Sequence, residues 1–301
     1  MSIDREQPNF FAGPYIERRA EEREDPQWLA AARADPATQY LIGHGTAQLL
    51  QAGAEPHVAL LANGAPLLRN VEPASLVLLG WYHGARCVLV DLPADTALEL
   101  PPGTQLQELR PLTAVLPAEE AGLLAFARAL AIWRTRHHHC GVCGALTVPS
   151  RAGHCLVCSN TACAQQYFPR IDPAIIVLVS DGERALLGRQ ASWPARRYST
   201  IAGFVEPGES LEDAVAREVA EETGVTVTQA RYHSSQPWPF PSSVMLGFRA
   251  RALPGSTPRL GGELEDARWV TRAQLRAGEV LAPPSQSISW RLIEGWLEGE
   301  D

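Results

Sequence analysis

The sequence predicts an α/β (α+β) protein: a layered α/β sandwich over residues 171–301, a cysteine-bearing segment at 137–170 and an α+β region at 1–136. Three observations carry this. Beyond residue 171, short apolar runs alternate with stretches of helical periodicity, the pattern of strands and helices packed in layers. Five of the six cysteines crowd between Cys140 and Cys163. Ahead of them, apolar segments bounded by Pro and Gly precede one long amphipathic stretch.

In the first region, residues 58–61, 74–81 and 87–92 are short, apolar and bounded by turn formers, so they read as strands. Ala118–Arg136 reads as a helix: Glu119 and Glu120 open it, and Leu123, Phe126, Leu130 and Trp133 recur at helical spacing. This half carries no catalytic motif; His57, His83 and Cys87 stand alone and read as structural. In the last region, 174–180, 185–189 and 243–253 read as strands, Leu211–Thr223 as a helix and Ile288–Leu297 as a terminal helix.

Composition narrows the function classes. With 301 residues, 46% hydrophobic and 20% charged, the chain is neither collagen-like nor disordered. A net charge of −8 argues against a generic DNA-binding surface. All 26 basic residues are Arg, which removes Schiff-base and P-loop lysine chemistry. The longest aliphatic run, 175–179, is far short of the roughly 20 residues a bilayer requires, so no membrane partner is expected. The first 25 residues hold no apolar signal region, and Asp301 ends the chain without a retention tail. A cytoplasmic protein with reduced cysteines is the expectation.

Reduced, clustered cysteines point to metal. Cys140 and Cys143 form a CxxC knuckle followed by Gly144, which aims two thiolates at one ion. Structural zinc is four-coordinate, so a second pair must come from Cys155, Cys158 and Cys163. The intervening length suits a zinc ribbon. A redox CxxC would instead follow a strand in a thioredoxin-like unit. His137, His138, His139 and His154 are weaker alternative ligands.

The most specific signal is the segment 203–225. Gly203 and Gly208 suit loop conformations, Ser210 suits a helix N-cap with Asp213 three residues on, and Gly224 suits a C-cap. Leu211, Ala214, Val215 and Val219 form the stripe that docks the helix on a sheet. Glu218, Glu221 and Glu222 share the opposite face at i, i+3 and i+4, where like charges repel unless a hard divalent cation, Mg²⁺ or Mn²⁺, joins them. Arg217 can pair with Glu209 and hold the preceding loop. The segment holds seven acids against one arginine, so most of the negative charge is local.

Gly203, Glu209, Arg217, Glu218, Val219, Glu221, Glu222, Gly224 and Val225 resemble the Nudix box, G-x5-E-x7-R-E-U-x-E-E-x-G-U, at every defined position. Ten residues on, Ser235 to Ser243 is similar to the SQPWPFPxS array of the NADH pyrophosphatase subfamily; its alternating prolines read as extended backbone presenting Trp238 and Phe240. Tyr167, Phe168 and Pro169 follow Cys163 as that subfamily's Tyr-aromatic-Pro step does. The resemblance implies an α/β/α Nudix sandwich with a mixed sheet behind a zinc ribbon, with Cys158 and Cys163 completing the zinc site and Cys155 spare.

It further implies hydrolysis of the pyrophosphate of NADH or NAD, and removal of NAD caps from RNA, by a homodimer. Glu218, Glu221, Glu222 and Glu263 would bind the catalytic cations with the Ala202 carbonyl, Glu263 being placed by counting back from Trp269, with Glu265 and Asp266 as alternatives. Glu222 is the expected general base. Phe168 and Phe204 would sandwich the nicotinamide. Gln236, Pro237, Trp238, Pro239, Phe240, Pro241, Ser242 and Ser243 would line the substrate, with Ser289 contributing backbone. In the first region, residues 9–13 are the most family-like.

Overall fold

The computed structural model describes residues 8–300. Two compact units emerge: one comprises 11–171 with 239–242, the other 8–10, 172–238 and 243–300. The cysteine segment thus groups with the N-terminal region, and residues 8–10 with the C-terminal one.

The first unit rests on a seven-stranded sheet, β1 (Ile16–Glu17), β2 (Gln39–His44), β3 (Ala47–Gln51), β4 (Leu60–Ala62), β5 (Leu76–Tyr82), β6 (Ala85–Leu92) and β7 (Thr104–Glu108). Its helices are α1 (Trp28–Ala34), α2 (Leu109–Leu112) and α3 (Ala118–Arg136), the last with the bounds its periodicity predicts. The strand expected at 58–61 is shifted: Leu60 to Ala62 pair with β2, whereas Val58 makes only an isolated bridge to Leu50. The lone histidines each lie against an acid of α3. His57 Nδ1 lies 2.8 Å from Glu120 and His83 Nε2 2.7 Å from Glu119. A second, three-stranded sheet in this unit, β8 (Thr147–Ser150), β9 (Cys155–Cys158) and β10 (Gln166–Tyr167), carries the cysteines in the order β10-β9-β8.

In the other unit, β11 (Asp172–Ser180), β12 (Arg184–Arg189), β13 (Ile201–Phe204), β14 (Val227–Trp238), β15 (Ser243–Ala252) and β16 (Asp266–Thr271) form a mixed sheet. Its helices are α4 (Leu211–Thr223), α5 (Arg272–Arg276) and α6 (Ile288–Leu297). Successive side chains of β11 point to opposite faces. Ile175, Val177 and Val179 pack with Ala214, Val215 and Val219 of α4, while Ile176 and Leu178 pack with Leu292, Ile293 and Trp296 of α6. This is the expected α/β/α layering.

One edge of β11 is shared. Residues 174–177 pair with β13, but only Val179 and Ser180 pair with β12, so the sheet forks. Gly188 and Ser199 exchange two 2.9 Å backbone hydrogen bonds across the fork. On the far side β14 and β15 form a hairpin, Trp238 opposite Ser243. The backbone is therefore not extended throughout 235–243, as the prolines suggest: it leaves the ladder after Trp238 and turns through residues 239–242.

Candidate active site and four-cysteine cluster

Helix α4 starts and stops where its residues dictate. Ser210 Oγ accepts from Asp213 N–H at 3.1 Å, and Gly224 takes the left-handed conformation at φ 66°. Gly203 corrects the sequence reading. It lies in β13 rather than in a loop, and what it supplies is space: a Cβ there would stand 2.0 Å from the Glu218 carboxylate. The helix carboxylate rests directly on the strand.

Arg217 organises the charges. Its Nε and Nη2 donate to Glu209 at 2.7 and 2.9 Å, its Nη1 to Glu218 and Glu221 at 2.9 and 3.0 Å, and its Nη2 also to the Phe204 carbonyl at 2.9 Å. The Arg217 hydrogen bonds hold the Glu209 carboxyl down at about 2, with help from the Glu206 N–H. Burial pushes the Glu222 carboxyl up to about 7, and the charges of Glu218 and Glu263 push the same way. Burial also raises Glu218, with Glu221 and Glu263 contributing. Glu263 thus faces the helix carboxylates. Its neighbours are engaged elsewhere, Glu265 with Arg189, and Asp266 with Tyr198 and Arg268. The loop bearing Glu263 folds onto the end of α4 through Arg259 N–H to Thr223 O, 2.7 Å, and Gly261 N–H to Glu222 O, 2.9 Å. The carboxylates of α4 and Glu263 offer the oxygen donors that hard divalent cations take.

Beside Glu222 opens a pocket of about 390 Å³. Gln236, Trp238 and Ser289, named above for the substrate, and Ala202, named for the cations, line it, together with Trp193 and Arg197, which motif reasoning missed because their loop carries no motif. Two of the expected residues shape it through side chains. Gln236 is fully buried: its Nε2 donates to the carbonyls of Phe10 and Gln286, and its Oε1 accepts from Ile288 N–H at 2.9 Å, fixing the start of α6. Ser289 Oγ accepts from Thr200 N–H at 3.1 Å. Asn9, in the family-like stretch, donates to Ser234 Oγ and the Ser235 carbonyl at 3.0 and 2.8 Å.

Pro237, Pro239, Phe240, Pro241, Ser242, Ser243, Phe168 and Phe204 do not line this pocket. Residues 239–242 belong to the other unit, where the Arg110 and Arg128 guanidiniums lie 4.2 and 5.3 Å from the Phe240 ring. Ser243 is buried in the sheet and Pro237 is exposed. Phe204 and Phe168 are exposed in their respective units, Phe168 with Arg151 5.5 Å from its ring.

The sulfurs of Cys140, Cys143, Cys158 and Cys163 lie within 4.8 Å of one another. Cys140–Cys163 measures 3.8 Å and Cys143–Cys158 3.4 Å. A tetrahedron with Zn–S bonds of about 2.3 Å has edges of about 3.8 Å, so the four thiols fit zinc. Cys155 is outside the cluster. It lies three residues from Cys158 on β9, and an odd step along a strand reverses the side chain. His154 is not a ligand either. It is buried with Nε2 2.7 Å from the Leu78 carbonyl, and burial drops it to about 4. Tyr167 has a role the motif did not reveal: its hydroxyl accepts from Gly141 N–H at 2.8 Å and lies 3.2 Å from Cys140 Sγ, drawing that thiol down to about 6.

Comparison with known proteins identifies the family. The NUDIX domain model matches residues 170–292, and a model described as NADH pyrophosphatase-like rudimentary NUDIX domain matches 37–133. The chain is 40% identical over 272 residues to the NAD-capped RNA hydrolase NudC of Mycobacterium bovis (strain BCG / Pasteur 1173P2), covering 80% of this chain and 83% of the relative. It is 31% identical over 338 residues to the human (Homo sapiens) NAD-capped RNA hydrolase NUDT12, covering 96% of this chain and 73% of the relative. A NUDIX hydrolase crystal structure from Nitrosomonas europaea aligns with a TM-score of 0.43 at 20% identity, over 53% of this chain and 90% of that one. The chain belongs to the Nudix hydrolases, in the NADH pyrophosphatase (NAD-capped RNA hydrolase) subfamily.

Proposed function

We propose that this hydrolase cleaves the pyrophosphate of NADH, and less efficiently NAD, to nicotinamide mononucleotide and AMP, and removes NAD caps from RNA. The observation that carries the reading is the buried Glu222 of α4 lining a pocket that also holds Trp193 and Trp238. Glu218, Glu221, Glu222 and Glu263, with the Ala202 carbonyl, are the residues to hold Mg²⁺ or Mn²⁺. Bound there, the cations neutralise the diphosphate and lower the pKa of an attacking water. Glu222 takes the proton from that water, being the buried carboxyl that lines the pocket. Arg217 and Glu209 position Glu218 and the strand that carries Ala202.

Zinc on Cys140, Cys143, Cys158 and Cys163 is structural, holding the ribbon. Phe204, and Phe168 from the second subunit of a homodimer, stack on the nicotinamide. The N-terminal region 1–136, the ribbon 137–170 and the hydrolase region 171–301 act as three functional parts. Among the described residues no helix is long and apolar enough to cross a membrane. A cytoplasmic enzyme without a DNA partner is our reading.

The test is turnover of NADH, ADP-ribose and NAD-capped RNA with Mg²⁺ or Mn²⁺. NADH and capped RNA should lead; a clear preference for ADP-ribose would overturn the substrate assignment. Glu222→Gln should fold normally and lose about 10²–10⁴ in rate, the usual general-base contribution.

A further inference from the structure

Arg189 ends β12, Arg196 and Arg197 lie in the loop leading to β13, and the first two have side-chain partners. Arg189 pairs with Glu265 and donates to the Trp193 carbonyl at 3.0 Å, and Arg196 donates to the carbonyls of Gly278 and Glu279. Arg197 differs. Its backbone is clamped, with N–H to Pro194 O at 3.1 Å and a bridge to Leu281. Arg197 lines the pocket, and among the described residues no hydrogen bond or ion pair engages its side chain; Nε is buried without a partner. Of the described residues with such orphaned side-chain atoms, Arg197 alone lines this pocket. Buried polar groups are rarely left unpaired, so a rigidly presented guanidinium in a substrate pocket points to an anionic group on the ligand.

Arg197 and Glu222 are the two charged residues lining the pocket. On the reading above, the diphosphate lies with the carboxylates at the Glu222 end, and the nicotinamide lies on Phe204, outside the pocket. The adenosine half then enters between Trp193 and Trp238, toward Arg197. NADH carries no further anion there. Two related ligands do: an RNA body continues from the adenosine through a 3′-phosphodiester, and the phosphorylated dinucleotide carries a 2′-phosphate.

We propose that Arg197 is the receptor for a phosphate on the adenosine ribose, a third phosphate beyond the diphosphate, and thereby favours ribose-phosphorylated substrates over NADH. This rests on the dinucleotide reading of the site but is tested apart from catalysis. Binding of AMP, adenosine 2′,5′-bisphosphate and adenosine 3′,5′-bisphosphate is measured by calorimetry on the full chain and on Arg197→Met. In the wild type the favoured bisphosphate should bind at least about tenfold tighter than AMP, the scale of one charge-assisted hydrogen-bonded pair. Arg197→Met should erase that ratio and Arg197→Lys should restore part of it, which a folding defect would not do. A 3′ preference identifies the RNA body as the source, a 2′ preference the phosphorylated dinucleotide. No bisphosphate preference in the wild type, or equal weakening of all three ligands in Arg197→Met, overturns the proposal. If the wild type shows the preference but hydrolyses no dinucleotide, the phosphate receptor stands and the hydrolase reading fails.

Discussion

Replacing Gly203 with Ala tests the carboxylate arrangement through a residue that has no chemistry of its own. The added methyl would stand 2.0 Å from Oε1 and Cδ of Glu218, whereas relaxed contacts lie at about 3.5 Å. The carboxylate must therefore retreat by more than about 1 Å, and a misplacement of that size at a catalytic group costs on the order of 10²-fold in rate. The backbone has no reason to object, because Gly203 occupies a strand paired with Ile175 and alanine adopts that conformation readily. The melting temperature should stay within about 3 °C of the wild type, corresponding to less than about 1 kcal/mol. The assay is steady-state hydrolysis of NADH across a Mg²⁺ titration. Because the damage runs through Glu218, the Gly203→Ala/Glu218→Gln pair should be no slower than Glu218→Gln alone. A Gly203→Ala enzyme within threefold of wild type, or rate losses that simply multiply in the pair, would refute the reasoning.

Arg217→Met should remove five donated hydrogen bonds and leave Glu209, Glu218 and Glu221 without their shared cation. We expect destabilisation of about 1–3 kcal/mol in urea unfolding together with a large loss of kcat; unchanged stability would contradict the organising role. Cys158→Ser should lower the zinc content of the purified chain and Cys155→Ser should leave it at the wild-type level, and the reverse pattern in metal analysis would reassign the third ligand. Burial holds His154 at about 4 against about 6.5 for a free imidazole, so only the unfolded chain takes up the proton between those values. Stability contributed by neutral His154 is complete above about pH 6.5 and falls by up to about 3 kcal/mol as pH drops to 4. His154→Gln retains a donor toward the Leu78 carbonyl and should flatten that slope in denaturation curves; parallel curves would refute it.

How much of this was legible in the sequence depends on how local the determinants are. Helix α4 could be read almost to the residue, since Ser210, Gly224 and the stripe of Leu211, Ala214, Val215 and Val219 all act within one helix length. The bounds of α3 and α6 followed from the same kind of periodicity. Strands fared worse: β1, β2, β3, β7, β8, β9, β10, β13, β14 and β16 went unread, and the 58–61 strand was misplaced because the β2 ladder fixes its register. The site divides along the same line. Arg217 and Glu209 are eight residues apart, within one motif, whereas Asn9 meets Ser234 across 225 positions. Nothing local announces Arg197, whose meaning lies in a pocket assembled by folding. Tyr167 was read as an aromatic step, yet its hydroxyl reaches back to the first knuckle. Gly203 was read correctly as a glycine requirement but for the wrong cause, since the steric neighbour comes from the helix that follows.

The forked edge of β11 has an evolutionary consequence. Ile176, Gly188 and Ile201 give the pocket a floor of paired backbone, while Trp193 and Arg197 sit on the intervening loop. On the proposed reading, most of the groups that perform cleavage are carried by α4 and β13, while Trp193 and Arg197 hang from the segment between β12 and β13. Exchanging that loop alone is therefore the economical route by which such a scaffold acquires new substrates while its chemistry is inherited intact.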